Sequence, residues 1–241
     1  MKIAGILWDY DGTIVDSARK NMSVTIDVLR YFDEKIDEHL PEALQSYEKY
    51  QEANYRYKNW KDMYAACCGF APDQIEAAGK LWSPCQKKNT VIPDMFEGLP
   101  EVFKRLSGVR MGICSQNSSD SIRDVLTHYG TLDYFGCIIG HDDVPFDRQK
   151  PDPEGFLACL RGLDLRGDEG LLLYIGDHSE DVAFGKSAGS RLCSAGINAE
   201  VRAVTVGSYA GSRETWRMQP DYTAGNASEL LSIFESILNK S

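Results

Sequence analysis

The chain has 241 residues, with 26 Lys and Arg against 36 Asp and Glu, for a net charge of −10. A composition of 43% hydrophobic and 26% charged residues excludes wholesale disorder. So acidic a chain also excludes general nucleic-acid binding, which rests on basic surface. The opening MKIAGILWDY reads as a short buried strand over Ile3–Trp8 and not as a secretory leader, because its apolar run is short, ends in charge and lacks a small-residue cleavage site. Asp9 and Asp11 follow that strand within LWDYDGTIVDS. Asp and Gly favour turns, so a solvated turn is one reading of the pair; a catalytic or metal-binding site is the other.

From Ser17 to about Thr90 strand-like runs disappear. Polar-aromatic stretches such as SYEKYQEANYRYKNWKDMYAACCGF have helical spacing and few β-branched residues, which predicts a helix-helix core. Arg56, Lys58 and Lys61 form a basic cluster there, expected on a solvated helix face. Pro93 marks a boundary, and strands and helices alternate beyond it. GLPEVFKRLSG is expected as a helix ending at Gly108, VRMGICS as a strand, SSDSIRDVLTHYG as a helix and GCIIG as a strand. DPEGFLACLRGL then reads as a helix opened by Asp and Pro, LLLYIGD as a strand, SEDVAFGKSAG as a helix, RLCSAG as a strand and NASELLSIFESIL as a terminal helix. This alternation predicts an α/β, Rossmann-like parallel sheet with helices on both faces. The expected division is a core of residues 1–16 and 91–241 with a helical insert at 17–90.

The longest apolar runs, such as Leu171–Ile175, are far too short to span a bilayer, so no membrane partner is expected. Seven scattered cysteines without CxxC spacing point to free thiols in a reducing cytoplasm. Four widely separated histidines argue against a zinc site. Monomer and homodimer are both left open.

The predicted strands end in polar residues. Asp9 and Asp11 follow the first and Ser115 the second; Asp177 follows LLLYIG, with Asp181 four residues on, and Lys150 precedes the Pro-opened helix. Ligands of parallel α/β sheets bind at the carboxyl ends of the strands, so these residues are expected to converge.

Four motifs then make the chain resemble a haloacid dehalogenase superfamily hydrolase: DYDGT at Asp9, Ser115 ending a strand, Lys150 in KPDP, and GDHSED at Asp177. The helical insert after the first motif resembles the small cap of the branch that holds phosphoglycolate phosphatases and β-phosphoglucomutases. The resemblance implies that Asp9 is the nucleophile forming an aspartyl-phosphate, and that Asp11 is general acid and then base, its carbonyl touching the metal. It implies Mg²⁺ held by Asp9, Asp11 and Asp177, with Asp181 contributing directly or through water. Ser115, Gln116 and Lys150 would hold the phosphate. Gln116 departs from the Asn common in this branch, and His178 from a small residue. An exposed loop position is expected for His178, with metal or leaving-group contact as its alternative, and packing alone for Trp8.

Residue types within the motifs choose among reactions. Dehalogenases lack the second Asp, because a halide needs no proton to leave, and phosphonatases replace it too. β-Phosphoglucomutases carry a cap His where this chain has Asn21. The expectation is therefore a Mg²⁺-dependent phosphatase of a small phosphorylated metabolite. A sugar-phosphate mutase is the runner-up, and a non-catalytic binding protein on the same fold is a further alternative.

Overall fold

A computed structural model describes residues 2–57, 59–168, 170–207 and 215–238. The chain divides into two units, one of Met1–Val15 with Met95–Ser241 and the other Asp16–Asp94.

The first unit is built on six parallel strands: β1 (Ile3–Trp8), β2 (Arg110–Cys114), β3 (Cys137–Ile139), β4 (Leu171–Gly176), β5 (Glu200–Val206) and β6 (Tyr222–Ala224). Their order across the sheet is β3-β2-β1-β4-β5-β6. In β1 and β4 every residue is buried. That is the physical reason both read as unbroken apolar runs: a parallel strand covered on both faces has no wet side. The register aligns Ile6 with Met111 on one neighbour and with Leu173 on the other.

Side chains alternate across the sheet. On one face Ile6, Trp8, Ile113, Leu173 and Ile175 pack with Phe103 and Phe234. Trp8 meets the Phe103 ring edge-on at 5.3 Å. On the other face Leu7, Leu172 and Tyr174 pack with Phe156, Phe184 and Leu192. The chain runs from β1 outward to β2 and β3, then returns to β4 on the opposite side of β1. The strand order thus reverses between β1 and β4, where α/β sheets form their ligand crevice.

The predicted helices of this unit occur as Leu99–Arg105, Ser119–His128, Glu154–Gly162, Ser179–Ser194 and Ala227–Leu238. Three expectations fail here. Arg191–Ser194, expected to open a strand, is the last turn of the Ser179–Ser194 helix. Leu192 is buried on that helix in the second core face, and Gly189, expected to end the helix, is interior to it beside Val201. The strand follows instead at Glu200–Val206, whose β-branched alternation in EVRAVTV was the better signal. The helix expected to run to Gly108 ends at Arg105.

The second unit is helical, with Ala18–Leu29, Tyr47–Arg56, Trp60–Cys68 and Pro72–Lys88. Ser46 Oγ accepts the Lys49 N–H at 3.2 Å and Asn59 Oδ1 the Asp62 N–H at 3.0 Å, so side-chain caps open the middle two. Pro72 opens the last. Val24, Val28, Leu44, Tyr50, Met63, Tyr64 and Ala78 form its core. Arg56 is exposed and pairs with Glu52, and Lys61 lies 5.8 Å from the Trp60 ring centre. Lys58, the third member of the basic cluster, lies outside the described residues. Among the described residues no helix is long and apolar enough to cross a membrane.

Candidate active site

β1 ends at Trp8, and Asp9 continues the ladder by donating its N–H to the Ile175 carbonyl at 2.7 Å. The Asp9 side chain is therefore delivered to the carboxyl edge of the sheet, yet it is only 8% exposed. Lys150 enters from the loop before Glu154–Gly162 and donates to Asp9 Oδ1 at 2.5 Å and to Asp181 Oδ1 at 2.8 Å. Its side chain is 6% exposed, with the ammonium 5.1 Å from the Tyr174 ring centre and 5.4 Å from that of Phe184. The two rings confine the Lys150 side chain, and the two carboxylates fix its head.

Asp181 is held from both sides. Its Oδ1 accepts from Lys150, and its Oδ2 accepts the His178 N–H at 3.0 Å, in a capping box that opens the Ser179–Ser194 helix. The GDHSED spacing thus places Asp181 on the third helical residue, turned back toward the strand end. Gly176 permits this, since a Cβ there would lie 2.3 Å from the Asp181 carboxyl carbon. His178 accepts the Glu180 N–H at its Nδ1 at 3.2 Å, so its ring is part of the cap.

Asp177 follows β4 and accepts from Thr13 Oγ1 at 3.4 Å. Gly12, at φ 73°, lies so close beneath it that a Cβ would come 2.2 Å from Asp177 Oδ2. We expect Gly12→Ala to push Asp177 out of place, at a backbone cost of about 1–2 kcal/mol for the left-handed conformation alone. A Mg²⁺ titration of activity should then show weakened apparent metal affinity; an unchanged titration would contradict this.

One oxygen from each of Asp9, Asp177 and Asp181 lies within 4.8 Å of the others. The donor set is all carboxylate oxygen, which fits a hard dication such as Mg²⁺ and not a soft metal. The electrostatics point the same way. Burial pushes the Asp9 carboxyl well above its usual range; Lys150 pulls it down, but Asp181, Asp177 and Asp11 push it further up. Burial alone would lower Lys150, yet Asp181 and Asp9 outweigh it and hold the ammonium above its ordinary value. The Lys150 ammonium thus meets Asp9 and Asp181, while Asp177 and Asp11 add negative charge around Asp9, an excess that a divalent cation would relieve. With both of its oxygens engaged, Asp181 is suited to meet such a cation through water.

Ser115 follows β2, is buried, and accepts the Asn117 N–H at its Oγ at 3.2 Å. Gln116 turns its amide to Glu180 Oε2 at 2.9 Å and to the Lys150 carbonyl at 3.4 Å. Asp11, half-buried, accepts from the Asn117 amide at both carboxylate oxygens, 3.1 and 2.9 Å. The sequence reading missed Asn117, Thr13, Tyr174 and Phe184. An Asn in SQNSS reads as a turn or cap residue, and the aromatic pair reads as core; no spacing marks either as part of a site.

All of these residues belong to the first unit. They lie at the crevice of a parallel sheet, where a cluster of aspartates, a buried lysine and a strand-end serine come together. The sequence matches the family model of haloacid dehalogenase-like hydrolases over residues 6–195, and the chain belongs to that family. A phosphoglycolate phosphatase of Cereibacter sphaeroides is 31% identical over 131 residues, 52% of this chain and 57% of that protein. The aligned stretch thus spans little more than half the length of that relative. The pyrophosphatase PpaX of Listeria monocytogenes is 24% identical over 234 residues, 96% of each chain. Among solved structures, a haloacid dehalogenase-like family hydrolase from Streptococcus pneumoniae superimposes with a TM-score of 0.70 at 19% identity, over 96% of this chain and 98% of that one.

Proposed function

We propose that this chain is a Mg²⁺-dependent phosphatase of a small phosphomonoester, working through an aspartyl-phosphate on Asp9. Residues 1–16 and 91–241 form the catalytic core in this reading, and residues 17–90 the cap. The observation that carries it is the buried contact of Lys150 with both Asp9 and Asp181, beside the Asp177 carboxylate. A structural ion pair needs one acid for one base. Here acids are in excess, and they are clustered where a phosphate dianion and a dication would neutralise one another.

Asp9 and Asp177 would hold the cation through their carboxylates and Asp11 through its backbone carbonyl, with Asp181 behind them. Bound there, Mg²⁺ supplies positive charge that lowers the repulsion between an anionic nucleophile and an anionic ester. Asp9 attacks phosphorus, and the P–O bond to the leaving group breaks. Asp11 gives its proton to the departing oxygen, then takes one from the water that attacks the aspartyl-phosphate. That attack releases phosphate and restores the Asp9 carboxylate. Ser115, Gln116 and Lys150 border the phosphoryl position, with Lys150 as a fixed positive charge. The phosphoglycolate phosphatase likeness supports a small carboxylated or sugar phosphate as substrate, and Asn21 in place of a cap His supports hydrolysis over transfer to a second hydroxyl.

Purified protein assayed with p-nitrophenyl phosphate, 2-phosphoglycolate and pyrophosphate tests the reading. Activity on a phosphomonoester should vanish in EDTA and return with Mg²⁺ in excess. Full activity in metal-free buffer would contradict the metal assignment, and turnover of pyrophosphate alone would contradict the substrate class.

A further inference from the structure

We infer that Asn117 is the positioning residue of the proton-transfer step: it fixes the Asp11 carboxylate and couples it to Ser115. The inference rests on Asp11 acting as acid and base. Asn117 is 3% exposed, and its bonds account for each of its polar groups. Its N–H goes to Ser115 Oγ at 3.2 Å, and its carbonyl accepts the His141 N–H at 3.0 Å. Its side-chain Oδ1 accepts the Ser118 N–H at 2.7 Å. That last bond decides which way the amide faces, because a backbone N–H can only donate. The amide nitrogen is therefore the atom aimed at Asp11, where it reaches both carboxylate oxygens at 3.1 and 2.9 Å.

The consequence is one of position. A neutral donor shared between both oxygens holds the carboxylate plane in one orientation without fixing a charge beside it. The amide thus keeps the Asp11 carboxylate in place. Through its own N–H the same residue joins Asp11 to the serine at the phosphoryl position, so the acid and the phosphate seat share one rigid loop. Misplacement of a reacting group by about an ångström can cost on the order of a hundredfold in rate, so this coupling is worth having.

A loop anchor alone would explain the Ser118 and His141 bonds, and the test must separate the two roles. Asn117→Asp keeps the side-chain shape and keeps an oxygen for the Ser118 N–H, but places a second carboxyl against Asp11. Asn117→Ala removes both. We compare each with wild type and Asp11→Asn on 2-phosphoglycolate, whose alkoxide leaving group needs a proton, and on p-nitrophenyl phosphate, whose leaving group does not. Circular dichroism and thermal melting check the fold. The expected result is that both Asn117 variants lose about 10- to 100-fold in kcat on the alkyl ester, with less than about tenfold loss on the aryl ester and little change in KM. Asn117→Asp at wild-type rates, or equal losses on both esters while Asp11→Asn is selective, would overturn the inference and leave the phosphatase reading standing. A wild-type enzyme inactive on both esters with Mg²⁺ would overturn that reading and this inference with it.

Discussion

Asp9→Asn should abolish turnover, by roughly 10⁴-fold or more, in a protein that remains folded. The substitution is nearly isosteric, and the amide oxygen can still accept from Lys150. What it removes is the nucleophile: an amide oxygen has neither the charge nor the basicity to displace an alkoxide from phosphorus. Stability should hold or rise in metal-free buffer. The Asp9 carboxyl is buried among Asp181, Asp177 and Asp11, and its ionisation is opposed by burial first and, against the pull of Lys150, by those neighbours. A neutral amide relieves that strain. Steady-state assays beside thermal melts check both halves. Activity within tenfold of wild type would remove Asp9 from the chemistry, and a collapsed melt would make its role structural.

Lys150→Met should damage both stability and activity. The methionine fits the channel beside Tyr174 and Phe184 but carries no charge. Asp9 and Asp181 would then face each other without the Lys150 ammonium between them. Breaking a buried pair by removing one partner costs about 3–5 kcal/mol, because the remaining charge is left uncompensated. Losing a fixed charge at the phosphoryl position should lower kcat by about 10²–10³-fold as well. Excess Mg²⁺ should restore part of the lost melting temperature but not the rate. A second change, Asp181→Asn on the Lys150→Met background, removes one of the stranded carboxylates and should recover part of the stability. Denaturant unfolding of the single and double variants measures this. A single variant as stable as wild type would mean that the lysine contributes nothing net to the fold.

The site was legible to the extent that its residues follow strands. Asp9, Ser115 and Asp177 each stand directly after a buried apolar run, and a parallel sheet presents all such positions on one edge. Lys150 and Asp181 were legible through the helix starts they accompany. What could not be read was the network behind them. The Asn117 contact with Asp11 spans more than a hundred positions of chain and leaves no periodic trace. The orientation of Gln116 toward Glu180 depends on how a loop meets the start of a helix. The strand misplaced at Arg191–Gly196 shows the same limit within the fold: RLCSAG is short, apolar and bounded by Gly, which suits a strand end and a helix end equally. Tertiary packing decided it, by burying Leu192 from a helix.

The central claim is that Asp9 becomes covalently phosphorylated during turnover. Acid quench of the enzyme with Mg²⁺ and 2-phosphoglycolate on the millisecond scale, followed by peptic digestion and mass spectrometry, tests it most directly. The account predicts one phosphoryl group on the peptide carrying Asp9, accumulating in Asp11→Asn with an activated ester and absent from Asp9→Asn. Turnover by the wild-type enzyme with no phosphorylated peptide in either active form, or with the phosphoryl group on another residue, would contradict it.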